Sequence, residues 1–163
     1  MFVADEQAVV AVDVLMLSRL AESVLRAEGV RGASELSVLF IAEDEIAELN
    51  QKFMGITGPT DVLAFPIDDD LGESGRSPDA GSSGPDRPPV EASEVPLLLG
   101  DVMVCPSVAA RYAAEHGRTT DDELALLVVH GILHVLGMDH QEPQDEAAMQ
   151  AREQELLAGF FGT

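Results

Sequence analysis

Three histidines at a fixed spacing are the residues of this chain best suited to chemistry. His130, His134 and His140 stand in the string HGILHVLGMDH. On a helix of about 3.6 residues per turn, side chains four apart stack on one face, so His130 and His134 can reach a single metal ion. One helix cannot aim a third side chain six positions further on at the same point. Gly137 offers the way round, because glycine enters left-handed backbone without steric cost, ends the helix and lets the chain bring His140 back. Three nitrogen donors with one position left open are the arrangement of a catalytic zinc site, and neutral imidazole suits zinc, with another divalent ion as the alternative. A structural zinc would want a fourth ligand, preferably cysteine, and none is near in sequence. A lone histidine in a leucine-rich helix is more often a core or surface residue; three at this spacing, with the glycine, reverse that balance.

The spacing is similar to that of the metzincin proteases, His-x-x-x-His-x-x-Gly-x-x-His, with Gly131 where those enzymes carry the glutamate that serves as general base. Peptide hydrolysis by that route lacks its base. Glycine inside a helix costs roughly 1 kcal/mol against alanine, so its place beside a ligand predicts a close approach by some other group.

A buried helix must position these side chains. The pattern predicts one starting at Thr120, with Thr120 and Glu123 as a capping box, and apolar nearly all round from Leu124 to Leu136. Before it, Phe2 to about Gln7 reads as a strand weakened by Asp5 and Glu6. Leu17, Leu20, Ala21, Val24 and Leu25 form one helix face, with Asp13 as N-cap and Gly29 past the end. Glu35 to Ala42 reads as a strand central to the sheet and covered on both faces. Ile46, Leu49, Asn50 and Phe53 share a face of the next helix, and Gly58 with Pro59 ends that element or its loop. Asp61 to Pro66 and Leu97 to Cys105 are two short strands, and about Asp68 to Val95, rich in Pro, Gly, Ser and Asp, is expected to be a mobile insertion between them. A helix capped by Ser107 runs to about Glu115, with His116 at its C-terminal end. Pro143 opens the last helix, whose Met149, Leu156, Leu157 and Phe160 make a packing stripe. The expected fold is α+β, a small mixed β-sheet packed with helices and the metal site on a central buried helix.

A length of 163 residues suits a single domain over residues 1–163. The lone cysteine, Cys105, excludes an intrachain disulfide and reads as a small buried hydrophobe at a strand end. No basic leader precedes an apolar core at the N-terminus and no run approaches the ~20 residues of a membrane span, so a soluble cytoplasmic protein with no membrane partner is expected. Nine basic side chains against thirty acidic ones give a formal net charge of -21. That balance opposes general affinity for nucleic acid, although a cleft holding a divalent cation can be positive on an acidic body. Walker loops, dinucleotide fingerprints, serine nucleophile elbows and internal repeats are absent from the sequence.

HGILHVLGMDH, together with GPTDVLAFP at Gly58 to Pro66, LGDVMVCP at Leu99 to Pro106 and the pair Leu49, Asn50, closely resembles the YbeY family of bacterial endoribonucleases over nearly the whole chain and in the same order. The resemblance implies a metal-dependent, single-strand-specific RNA hydrolase that matures ribosomal RNA near the 3′ end of the small-subunit RNA and takes part in ribosome quality control. Its partners would be ribosomal RNA and the small ribosomal subunit or its proteins, and its metal ligands fall on His130, His134 and His140. The chain departs from the family at Met54, where many members have an arginine thought to serve the substrate, at Ala64, commonly Ser, and at Met138, commonly Tyr. No residue beyond the metal site receives a catalytic role from the sequence, although Asp139, Asp61 or the metal hydroxide itself could replace the base missing at Gly131, and Asp139 could instead orient a ligand or cap the turn. Two other functions compete: a metalloprotease-like hydrolase, from the ligand spacing, and a non-catalytic ribosome-assembly factor with a structural metal, from the acidity and Met54.

Overall fold

The computed structural model describes residues 1–30, 34–66, 97–137 and 143–161. The insertion expected at about 68 to 95 lies outside the described residues, and so does His140. Four strands form one mixed sheet: β1 (Phe2–Asp5), β2 (Ser34–Phe40), β3 (Val62–Pro66) and β4 (Leu97–Val104), in the order β1-β2-β4-β3. β1, β2 and β4 run parallel, and β3 lies antiparallel on the outer side of β4. β2 is therefore interior, as its apolar run predicts. β1 stops at Asp5 because the Gln7 side chain organises a turn there: its amide donates to Asp5 Oδ1 at 2.7 Å, and its oxygen accepts from the backbone of Val9 and Val10.

Among the described residues five α-helices pack with the sheet: α1 (Val14–Ala27), α2 (Glu43–Leu49), α3 (Pro106–Glu115), α4 (Thr120–Val135) and α5 (Pro143–Phe161). Asp13 caps α1 by accepting from Met16 N at 3.1 Å. Two expected caps shift by one or two residues. α3 has Cys105 at its N-cap and Pro106 as its first residue, so the missing proline N–H is one the helix would not have used, and Ser107 is already inside. α4 is capped by Thr119, whose hydroxyl accepts from Asp122 N at 3.0 Å. Glu123 consequently has no part in a capping box and pairs instead with Arg118 at 2.9 Å.

α2 also departs from its expected course. It passes into a π-helical turn, Asn50–Met54, ended by Gly55 at φ +69°. A wider turn rotates later side chains off the α-helical stripe. Ile46 and Asn50 stay buried while Phe53 is 56 % exposed, its ring edge-on to Phe65 at 5.3 Å.

Strand alternation sends apolar side chains to both faces of the sheet. On one face Leu36, Val38, Phe40, Val102 and Val104 join the buried stripe of α1, nearly the whole circumference of α4, and Met149 and Leu156 of α5. On the other, Ile41, Ile46, Leu63, Cys105 and Val108 form a smaller cluster with Leu39, Phe65 and Met103 at its edge. Burial raises the pKa of the Cys105 thiol above its ordinary value, which keeps it protonated and inert. Among the described residues no helix is long and apolar enough to cross a membrane.

Candidate metal centre

α4 is the most enclosed element of the fold, packing on β3 and β4 and against α1, α3 and α5. Beyond its exposed first turn at Asp121 and Asp122, its side chains are buried except those of Leu126, His130 and His134, which are half-buried. His130 and His134 stack one turn apart as their spacing predicts, with ring centroids 4.6 Å apart and planes at 74°. Both line a cavity of about 330 Å³ together with Gly131, Met54, Asp61, Val62, Leu63 and Ala64. α4 thus makes one wall, and the π-helical turn with the start of β3 makes the other. Gly137 takes φ +107° immediately after the helix, the turn required to redirect the chain.

Gly131 has a packing reason. A Cβ at this position would stand 2.5 Å from Val102 Cγ1. Val102 is fully buried in the middle of β4, and its β-branched side chain has little freedom to move away. The glycine lets the ligand-bearing turn of α4 lie directly on the sheet. A glutamate in its place would meet the same atoms, so the geometry gives no support to the metalloprotease reading.

Asn50 holds the opposite wall. It is 4 % exposed, and its amide donates to Gly58 O at 2.9 Å, tying the end of α2 to the loop that leads into β3. Asp61 is fastened through its backbone carbonyl, which accepts from Cys105 N at 2.9 Å. Asp61 lines the same cavity as both histidines, and its Oδ1 accepts from the Thr60 hydroxyl at 3.4 Å; among the described residues no three His, Cys, Asp or Glu side chains are grouped to hold a metal ion. The third donor expected from the sequence, His140, and the alternative base Asp139 both lie outside the described residues.

Met54 lines the cavity and is 46 % exposed at its rim. Lys52, two residues before it, is no part of that lining; its Nζ lies 5.4 Å from the centroid of the Phe53 ring.

Glu153 is a site residue that reasoning from the sequence misses. This carboxylate of α5 is 5 % exposed, and its Oε2 lies 2.5 Å from His130 Nδ1. With Glu153 ionised the carboxylate can only accept, so Nδ1–H is then the donor and Nε2 is the ring nitrogen left for a metal. The signal was present: residue 153 falls four after Met149 and three before Leu156, so an acidic side chain interrupts an apolar stripe. Two imidazoles on one cavity wall, one of them engaged through Nδ1 by a buried carboxylate, match the donor chemistry that zinc asks of a protein.

A family model described as Endoribonuclease YbeY matches residues 2–160. The chain belongs to the YbeY family. An endoribonuclease YbeY from Salinispora tropica is 44% identical over 152 residues, 93% of this chain and 90% of the relative. One from Thermobifida fusca is 43% identical over 159 residues, 97% of this chain and 92% of the relative. The solution structure of a Thermotoga maritima protein superposes with a TM-score of 0.61 at 27% identity, covering 99% of this chain and 90% of that one. The YbeY resemblance read from HGILHVLGMDH and its companion blocks is thereby established, and so is the α+β fold expected from the sequence.

Proposed function

We propose that this YbeY family member is a zinc-dependent endoribonuclease that cuts single-stranded RNA in the cavity between α4 and β3, within a single hydrolase domain over residues 1–163. Family membership makes the chain a hydrolase of the endoribonuclease class. The observation that carries this reading is that His130, His134 and Asp61 line one cavity. His130 and His134 are two ligands in this reading and His140 is the third. When bound, zinc supplies a Lewis acid for the phosphodiester and makes a nucleophile available from water at neutral pH. Among the described lining residues Asp61 is the carboxylate able to hold a proton beside the reacting group. Met54 presents an apolar rim that suits contact with a nucleobase rather than with phosphate.

The cellular role we assign is maturation of ribosomal RNA near the 3′ end of the small-subunit RNA, with a part in ribosome quality control, in the cytoplasm. A net charge of -21 complements basic ribosomal proteins and weakens general affinity for RNA, so docking on the small subunit would bring substrate to the cavity. Removing metal with a chelator should abolish cleavage of a single-stranded RNA, and zinc should restore it while a duplex of the same sequence stays intact. Cleavage that persists in the chelator at undiminished rate would contradict the proposal.

A further inference from the structure

Glu153 is a buried carboxylate that the reaction as described does not use. Placing an ionised group among apolar side chains costs several kcal/mol unless it is paired and hydrogen-bonded, so its presence on the core stripe of α5 calls for a specific function. Its neighbours show where that function lies. His130 stands between two cavities: on one side it shares a cavity with His134, and on the other it shares one with Glu146, Met149, Gln150 and Glu153. The ring is therefore gripped from the side of α5 while it serves the site from α4.

We infer that Glu153 is a positioning residue for the metal centre. By accepting from Nδ1–H, it selects the imidazole tautomer whose lone pair is on Nε2 and stops the ring from turning about its last torsion. α5 is itself held in register by the residue before Glu153. Arg152 donates to Glu28 at 2.6 Å, at the C-terminal end of α1, and to Glu155 at 2.9 Å. A tie to α1 on one side of α5 and a ligand contact on the adjacent side make the docking of the last helix part of the metal site. This inference rests on the zinc reading above and adds to it a residue on a different element.

The test is zinc affinity measured with a competing chelator dye, for wild type, Glu153→Leu, Glu153→Gln and His134→Ala, together with ring 15N shifts of His130 in zinc-free protein. Glu153→Leu should bind zinc about 10- to 100-fold more weakly. Glu153→Gln, which keeps an acceptor oxygen and the side-chain volume, should recover most of that loss. In zinc-free wild type His130 should carry its proton on Nδ1, and in Glu153→Leu that preference should be lost. Zinc affinity of Glu153→Leu within about twofold of wild type, while His134→Ala loses binding, would overturn the positioning role alone. A proton found on Nε2 in zinc-free wild type would overturn it as well. His134→Ala binding zinc as tightly as wild type would overturn the metal reading and this inference with it.

Discussion

The two walls of the cavity are built differently. The α4 wall is buried on nearly every side, lies on the sheet through Gly131 and has His130 held from behind by Glu153. The opposite wall is a π-helical turn and a short edge strand, resting on the smaller of the two apolar clusters and carrying Met54, Phe53 and Ile56 at the surface. The proposed zinc ligands would need fixed geometry, and the buried α4 wall is built to supply it. A substrate-facing wall can vary in sequence without disturbing that geometry. Met54 and Ala64 both fall on that wall.

The largest expected effect attacks the stiff wall from within. Ile132 and Leu133 are fully buried in α4, and truncating either to alanine should lower the unfolding free energy by about 2 to 5 kcal/mol in urea titration. Leu63→Ala, on the opposite wall at 6 % exposure and in the smaller cluster, should fall at the low end of that range. Equal losses at both sites would erase the contrast.

Gly131 sharpens it. Gly131→Ala gains roughly 1 kcal/mol of helix propensity but forces a Cβ against Val102, and overpacking of that kind costs about 1 to 3 kcal/mol, so a net loss is expected. In the Val102→Ala background the same change should become neutral or stabilising, as a double-mutant cycle of thermal melts would show. On the other wall, Asn50→Ala leaves the Gly58 carbonyl without its donor and should cost about 1 to 3 kcal/mol. Zinc affinity should change little, because the loss lies away from the ligands.

Surface changes should be smaller still in stability and larger in function. Met54→Arg places a basic residue at an exposed rim position and should alter stability by less than about 0.5 kcal/mol. It should tighten binding of single-stranded RNA and steepen the salt dependence of log K by about 0.7, the increment for one more phosphate contact. The smallest effect concerns acid. Arg111 donates to Glu43 at 3.1 and 3.0 Å and holds that carboxyl below its ordinary pKa. The pair's contribution is therefore present above the unfolded-state pKa and is lost as pH falls through the lowered folded-state value. Because the pair is exposed, Arg111→Ala should leave the acid-unfolding midpoint almost unmoved.

Much of the stiff wall was legible in the sequence. Spacing alone puts His130 and His134 on one face of a buried helix, the cost of an internal glycine announces a close approach at Gly131, and Gly137 marks the turn. Glu153 shows in the sequence only as an acidic break in an apolar stripe, because its meaning depends on α5 docking beside α4, a contact 23 residues away along the chain. The soft wall was less legible for a local reason. Its hydrophobic spacing presumes 3.6 residues per turn, and the π-helical turn at Asn50–Met54 breaks that period and moves Phe53 outward. The caps of α3 and α4 slipped because adjacent residues, Cys105 to Ser107 and Thr119 to Thr120, offer competing starts that only backbone geometry decides.

Metal content measured beside cleavage of a single-stranded RNA, for wild type and His134→Ala, tests the central claim most directly. About one equivalent of zinc with cleavage is expected in wild type, and loss of both in the variant while its fold is retained. Cleavage by His134→Ala at the wild-type rate would contradict it.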